Sequence, residues 1–144
     1  MVIAVFGESC TGKSTLAAAL KARIGAQVYA GKDYLRLEKN ADIARRTFAK
    51  MLAMPDAQII YVISEQEQLT LLPDNCLRVY MTAGIDEIKR RMAGRMGGAL
   101  PPRVAEMLDK KHGMFDAAAH DLHLADGAYE MDAACARIEE MARG

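Results

Sequence analysis

Residues 7–14, Gly7-Glu8-Ser9-Cys10-Thr11-Gly12-Lys13-Ser14, carry the spacing G-x-x-x-x-G-K-[ST]. The two glycines allow the backbone to turn so that successive N–H groups face one point, an arrangement suited to binding an anion. A helix opening at Lys13 would add its positive dipole end to the same point. In such a loop Lys13 is expected to reach the β- and γ-phosphates of a nucleotide, and the Ser14 hydroxyl is expected on Mg²⁺. Thr15 adds an α-phosphate contact. The expected phosphate-binding set is therefore Gly7, Glu8, Ser9, Cys10, Thr11, Gly12, Lys13, Ser14 and Thr15. A chance match to four fixed positions, with glycine at about 7% of residues, arises in well under about 1% of chains this long.

The pattern has meaning only between a strand and a helix. Val2 to Phe6 is a continuous apolar run that reads as a buried strand, and Leu16, Ala17, Leu20 and Ile24 recur at helical spacing. Gln27 to Ala30 predicts a second short strand, and Tyr34 to Met54 a helix that stops before Pro55. The run 59–63, Ile-Ile-Tyr-Val-Ile, predicts a strand buried on both faces, and 77–81 another. Ile85 to Met96 predicts a helix with Asp86–Arg90 and Glu87–Arg91 pairs at i,i+4. Gly97-Gly98-Ala99-Leu100-Pro101-Pro102 cannot continue that helix, so a new one is expected from Arg103 to Ala119. Asp121 to Ala125 predicts a last strand, with Asp126 as the cap of a final helix whose apolar stripe is Met131, Cys135, Ile138 and Ala142. Strands alternating with helices place the chain in the three-layer α/β/α class with a parallel sheet, and function is expected at the carboxyl ends of the strands.

Over residues 2–24 the sequence resembles the small P-loop kinases, the group that includes nucleoside-monophosphate, shikimate and gluconate kinases. That resemblance implies a five-stranded sheet with the phosphate loop after its central first strand, an acceptor pocket after the second strand, and an arginine-bearing lid. It implies catalytic roles for Lys13, Asp33, Arg91 and Arg95, with Asp33 joining Ser14 on Mg²⁺. Asp33 lies just past the second strand, where a carboxylate can orient an acceptor hydroxyl; the plainer reading is that it caps the next helix. Arg91 and Arg95 resemble the R-x-x-x-R entry to a lid spanning roughly residues 91–103, with Arg90 left as the surface partner of Asp86. The helix after Asp33 carries Arg36, Lys39, Arg45, Arg46 and Lys50, a local basic excess that can meet an acceptor's phosphate or carboxylate or simply face solvent.

One departure from the pattern is visible. The third strand ends Ile63-Ser64-Glu65, without the terminal aspartate of a Walker B strand, which leaves Ser64, Glu65 or Asp33 to assist the metal. No N-K-x-D guanine-reading motif is present, so ATP is expected rather than GTP. The reading is an ATP-dependent phosphotransferase acting on a small-molecule acceptor. The alternatives are a nucleoside-monophosphate kinase, or a regulatory module that binds ATP and transfers nothing.

Composition bounds the remainder. A chain of 144 residues predicts one domain, 1–144, and buries roughly 68–70% of its unfolded surface without a staple. Nineteen Lys plus Arg balance nineteen Asp plus Glu, so no global field favours a nucleic acid polymer or an anionic membrane. No stretch approaches the roughly 20 apolar residues of a spanning helix. Three cysteines without a CxxC pair fit a reducing, cytoplasmic setting. His120 and His123 lack further metal-ligating partners, and Cys10 reads as a small loop filler. Oligomeric state is left open.

Overall fold

The computed structural model describes residues 1–144. Five parallel strands, β1 (Val2–Phe6), β2 (Gln27–Ala30), β3 (Ile59–Ile63), β4 (Leu77–Thr82) and β5 (Leu122–Ala125), form one sheet in the order β2-β3-β1-β4-β5. Every residue of β1 and β3 is buried, as expected for interior strands covered on both faces. The register brings the strand ends level: Phe6 pairs with Ile63 and Tyr80, and Ala30 pairs with Val62. Gly7, Gly31 and Ser64 therefore leave the sheet side by side at its carboxyl edge.

Helices α1 (Lys13–Ile24) and α5 (Met131–Arg143) cover one face through Leu16, Leu20, Cys135 and Ile138. Helix α2 (Ala41–Ala53) covers the other face through Ala44, Phe48 and Leu52, spaced four residues apart. Beyond the carboxyl edge, α3 (Ile85–Arg95) and α4 (Pro102–Lys111) pack together over a small third core made by Ile88, Leu108 and Cys10. Lys89 and Asp109 join the two helices at 2.8 Å.

Three expected helix limits shift, each for a local reason. The helix expected from Tyr34 to Met54 is two elements: a 3-10 turn at Asp33–Arg36, then α2. Asn40 divides them, because its side-chain oxygen accepts the Ile43 N–H at 3.0 Å and starts a new helix. The helix expected from Arg103 to Ala119 stops at Lys111, and Gly113 then takes a positive φ of 83° that helical backbone cannot. Asp126 does not cap the last helix; the Glu130 carboxylate accepts the N–H groups of Asp132 and Ala133. On α3, Glu87 rather than Asp86 takes Arg90, and it also takes Arg91 at 2.9 Å.

The segment 112–118 lies across the ends of β1 and β4. Phe115 is fully buried edge-on to Phe6 at 5.5 Å, and Phe6 stacks on Tyr80 at 5.1 Å. The Tyr80 hydroxyl donates to Asp116 at 2.7 Å, and the Gln66 amide donates to the Met114 carbonyl at 2.6 Å. Phe115→Ala is expected to cost about 3–5 kcal/mol of stability, the usual range for emptying a buried aromatic site, measured as a lowered denaturant midpoint.

Candidate active site

The site begins where β1 ends. A Cβ on Gly7 would lie 2.2 Å from the Met81 carbonyl oxygen, so only glycine lets the chain pass the end of β4 at this point. The loop then turns through Cys10 at φ 65° and Gly12 at φ 95° into the first turn of α1. Cys10 is the one residue other than glycine with positive φ. Its side chain is buried against Ile88 and Leu108, so apolar contacts accompany a backbone conformation that most L-residues avoid.

Glu8 organises the loop with both ends of its structure. Its carbonyl accepts the Thr11 hydroxyl at 2.9 Å and the Lys13 ammonium. Its buried carboxylate accepts the Gly113 N–H at 3.0 Å and pairs with His112 Nδ1 at 3.0 Å. Neighbouring Lys111 pairs with Glu65 at 3.3 Å. The end of α4 is thus tied to the phosphate loop and to the exit of β3. Nothing in the sequence links Glu8 to His112, which lie 104 positions apart.

Lys13 is buried, and its ammonium pKa is brought down to about 8, chiefly by desolvation and in smaller part by the Arg95 charge, against the opposing effects of Cys10 and Glu8. Ser9, Lys13, Ser14 and Thr15 line a cleft of about 320 Å³ whose far wall is Ala30 and Gly31 from the end of β2, Val62 and Ser64 from β3, and Arg95 from the end of α3. The Tyr61 hydroxyl donates to the Gly31 carbonyl at 2.7 Å and fixes that wall. A second depression of about 260 Å³ shares Cys10, Gly12, Thr15 and Arg95 with the first and adds Arg91, Asp126 and Tyr129. Together they form one groove wrapped around the start of α1.

The two arginines differ. Arg91 makes three bonds: to Glu87 at 2.9 Å, to the Cys10 carbonyl at 2.9 Å and to Asp126 at 2.7 Å. It braces the outer turn of the loop. Arg95, one helical turn later, makes no ion pair and lines both halves of the groove. Asp33 does not join Ser14 in this geometry. One of its oxygens accepts the Ala30 N–H at 2.9 Å, the other pairs with Arg36 at 2.9 Å, and it faces a different depression beside Lys21 and Tyr29. Capture by its own strand end and by the arginine three residues on explains that placement. Of the expected metal donors, the Ser14 hydroxyl lines the cleft and suits a hard cation that keeps most of its water. Ser64 is the residue from the end of β3 that stands with it.

No protein-family model and no curated protein sequence matches the chain. Solved structures do. The YorR protein from Bacillus subtilis, in complex with phosphorylated GDP, has a TM-score of 0.68 at 19% identity over 99% of this chain and 96% of that one. A gluconokinase from Sinorhizobium meliloti has a TM-score of 0.63 at 15% identity over 99% and 95%. Shikimate kinase from Bacteroides thetaiotaomicron has a TM-score of 0.64 at 12% identity over 100% and 99%. The chain has the fold of the small P-loop kinases, and the five-stranded parallel sheet expected from the sequence is present.

Because the Lys13 pKa is lower folded than unfolded, the unfolded chain binds the extra proton between about 8 and 10.5, and this group makes stability rise with pH across that window. Below the window the buried ammonium carries its full desolvation cost. Lys13→Met removes the group, so it is expected to be more stable than wild type at neutral pH, with the difference shrinking towards the top of the window. Paired denaturant curves at several pH values check this.

Proposed function

We propose that this protein is an ATP-dependent phosphotransferase that moves the γ-phosphoryl group of MgATP onto a small-molecule acceptor. The observation that carries the reading is the groove itself. The phosphate loop forms one wall, and the unpaired Arg95 faces it from the end of α3. Phosphoryl transfer is mostly positioning and neutralisation of spreading charge, and these groups supply both.

The loop N–H groups and the start of α1 would hold the phosphates, Lys13 would turn from the Glu8 carbonyl to the terminal phosphate oxygens, and Thr15 would meet the α-phosphate. Ser14 would hold Mg²⁺, which supplies charge neutralisation and geometry at the phosphate oxygens. The half of the groove with Arg91, Asp126 and Tyr129 suits the nucleoside, and the half against β2 and β3 suits the acceptor. Arg95 at their junction would stabilise charge on the group in flight. The helix pair α3–α4 would serve as a lid whose free corner is the exposed Gly97-Gly98 connection and whose base is the His112–Glu8 tie. Three buried free cysteines accord with a reducing compartment, here taken as the cytoplasm, and no helix is long and apolar enough to cross a membrane.

One observation favours a second reading, a module that binds ATP without transfer: Ser64 rather than an acid faces the cleft from β3. ADP formation from MgATP in the presence of pooled metabolites separates the two. Acceptor-stimulated turnover supports the phosphotransferase, while binding without turnover supports the module. Lys13→Ala is expected to abolish turnover. Arg95→Ala is expected to lower kcat by about tenfold or more, roughly 1.4 kcal/mol, with the denaturation midpoint unchanged. Asp33→Asn is expected to leave turnover within about threefold of wild type, because its carboxylate lies outside the cleft; a larger fall would show that Asp33 acts in the reaction.

A further inference from the structure

Four polar or charged side chains are buried, those of Glu8, Thr11, Lys13 and Gln68. The first three belong to the phosphate loop, and each has a polar partner there or at the end of α4. Gln68 is only 4% exposed and stands outside that loop, in the 3-10 turn Gln66–Leu71 that follows β3. Burying a primary amide is costly unless its oxygen and both of its N–H groups find partners.

One end of this amide is matched within the protein. Its oxygen accepts the N–H groups of Ser64 and Glu65, both at 3.4 Å. Those two bonds fix which way the amide faces, since turned over it would set its NH2 against two donors. The nitrogen therefore lies on the opposite side, 3.7 Å from the place a Cβ on Gly31 would take. It donates to no protein atom, yet no fully buried side-chain nitrogen or oxygen lacks a partner. The nitrogen is thus open to solvent although the residue around it is buried.

Gly31 and Ser64, the two residues this amide stands between, both line the cleft opposite the phosphate loop. A side chain at position 31 would touch the nitrogen and cover it, whereas glycine leaves it uncovered. Gly31 is held in that place: its carbonyl accepts the Tyr61 hydroxyl at 2.7 Å, and its N–H donates to the Val62 carbonyl at 2.9 Å. Bracing the turn uses the oxygen alone, and the two N–H donors are left for a ligand. We propose that Gln68 binds the acceptor, its amide N–H groups donating to an acceptor oxygen in the half of the cleft between β2 and β3. This rests on the phosphotransferase reading and adds to it a residue that selects among acceptors. A compound with a hydroxyl, carbonyl or carboxylate oxygen at that point satisfies the amide. One with a carbon or an N–H donor there leaves it unpaired and is disfavoured.

Gln68→Glu separates this role from the bracing of the turn. The carboxylate keeps an oxygen for the Ser64 and Glu65 N–H groups but replaces the two donors by a second acceptor oxygen. ADP release from MgATP is measured with nucleosides, sugars, hydroxy acids and their phosphates, and the compound that stimulates the wild type is then titrated against both proteins. Expected is a KM for that compound at least about tenfold higher in the variant, with kcat within about threefold and the MgADP affinity from calorimetry unchanged. A second measurement needs no variant. In the wild type loaded with MgADP, the assigned NH2 signals of the Gln68 side chain are expected to shift in a nitrogen–proton NMR spectrum as the same compound is added. A variant KM within about threefold of wild type, or side-chain signals that stay in place at saturation, overturns the assignment of Gln68 and leaves the phosphotransferase reading standing. ATP binding with every compound silent overturns that reading and this one with it.

Discussion

The approach of Gly7 to the Met81 carbonyl is the constraint on which the site depends. β1 is the middle strand of five, and its end is flanked by β3 and β4 at sheet spacing. A chain leaving that position must either stop or slip past its neighbours, and a side chain at Gly7 leaves no room to slip past. Because it does pass, the loop emerges over the carboxyl edge, the start of α1 points its free N–H groups into the gap, and Ser64 and Gly31 become the opposite wall. The interior burial of β1 is thus also what aims the loop.

The surroundings are held in place by bonds that reach far along the sequence. Arg91 joins α3 to the loop at Cys10 and to the end of β5 at Asp126. Glu8 joins the loop to the end of α4, and Tyr80 joins β4 to the segment carrying Phe115. These ties hold α3 past its middle, at Arg91, and α4 just beyond its end, at His112 and Gly113, while the corner between the helices makes no such long-range bond. Cys10 packs directly against Ile88 and Leu108, so the outer turn of the loop and the helix pair share one small apolar core.

How much of this was legible in the sequence follows the range of each interaction. The loop, the first strand and the first helix are local patterns, and they stand where Gly7, Gly12 and the Leu16–Leu20 spacing put them. The helix limits moved where a short-range competitor acted, Asn40 in one case and Gly113 in another, because periodicity alone does not weigh a cap against continuation. Arg95 reaches the cleft as its position one turn beyond Arg91 suggested, but which of the pair is tied and which is free depends on Asp126 and Cys10, which are distant in sequence. The same is true of Asp33. Its position after β2 is readable, whereas the direction of its carboxylate is decided by the Ala30 N–H and Arg36.

That direction has a consequence for the molecule among its own copies. β2 is an outer strand, and its free side offers backbone groups to any other extended chain. By accepting the Ala30 N–H, Asp33 occupies one of those groups, and it sets a charged pair with Arg36 at the margin. An intruding strand would have to displace that carboxylate and bury its charge. The aspartate therefore sets charge and an occupied donor at the sheet margin, two features that oppose edge-to-edge pairing of strands.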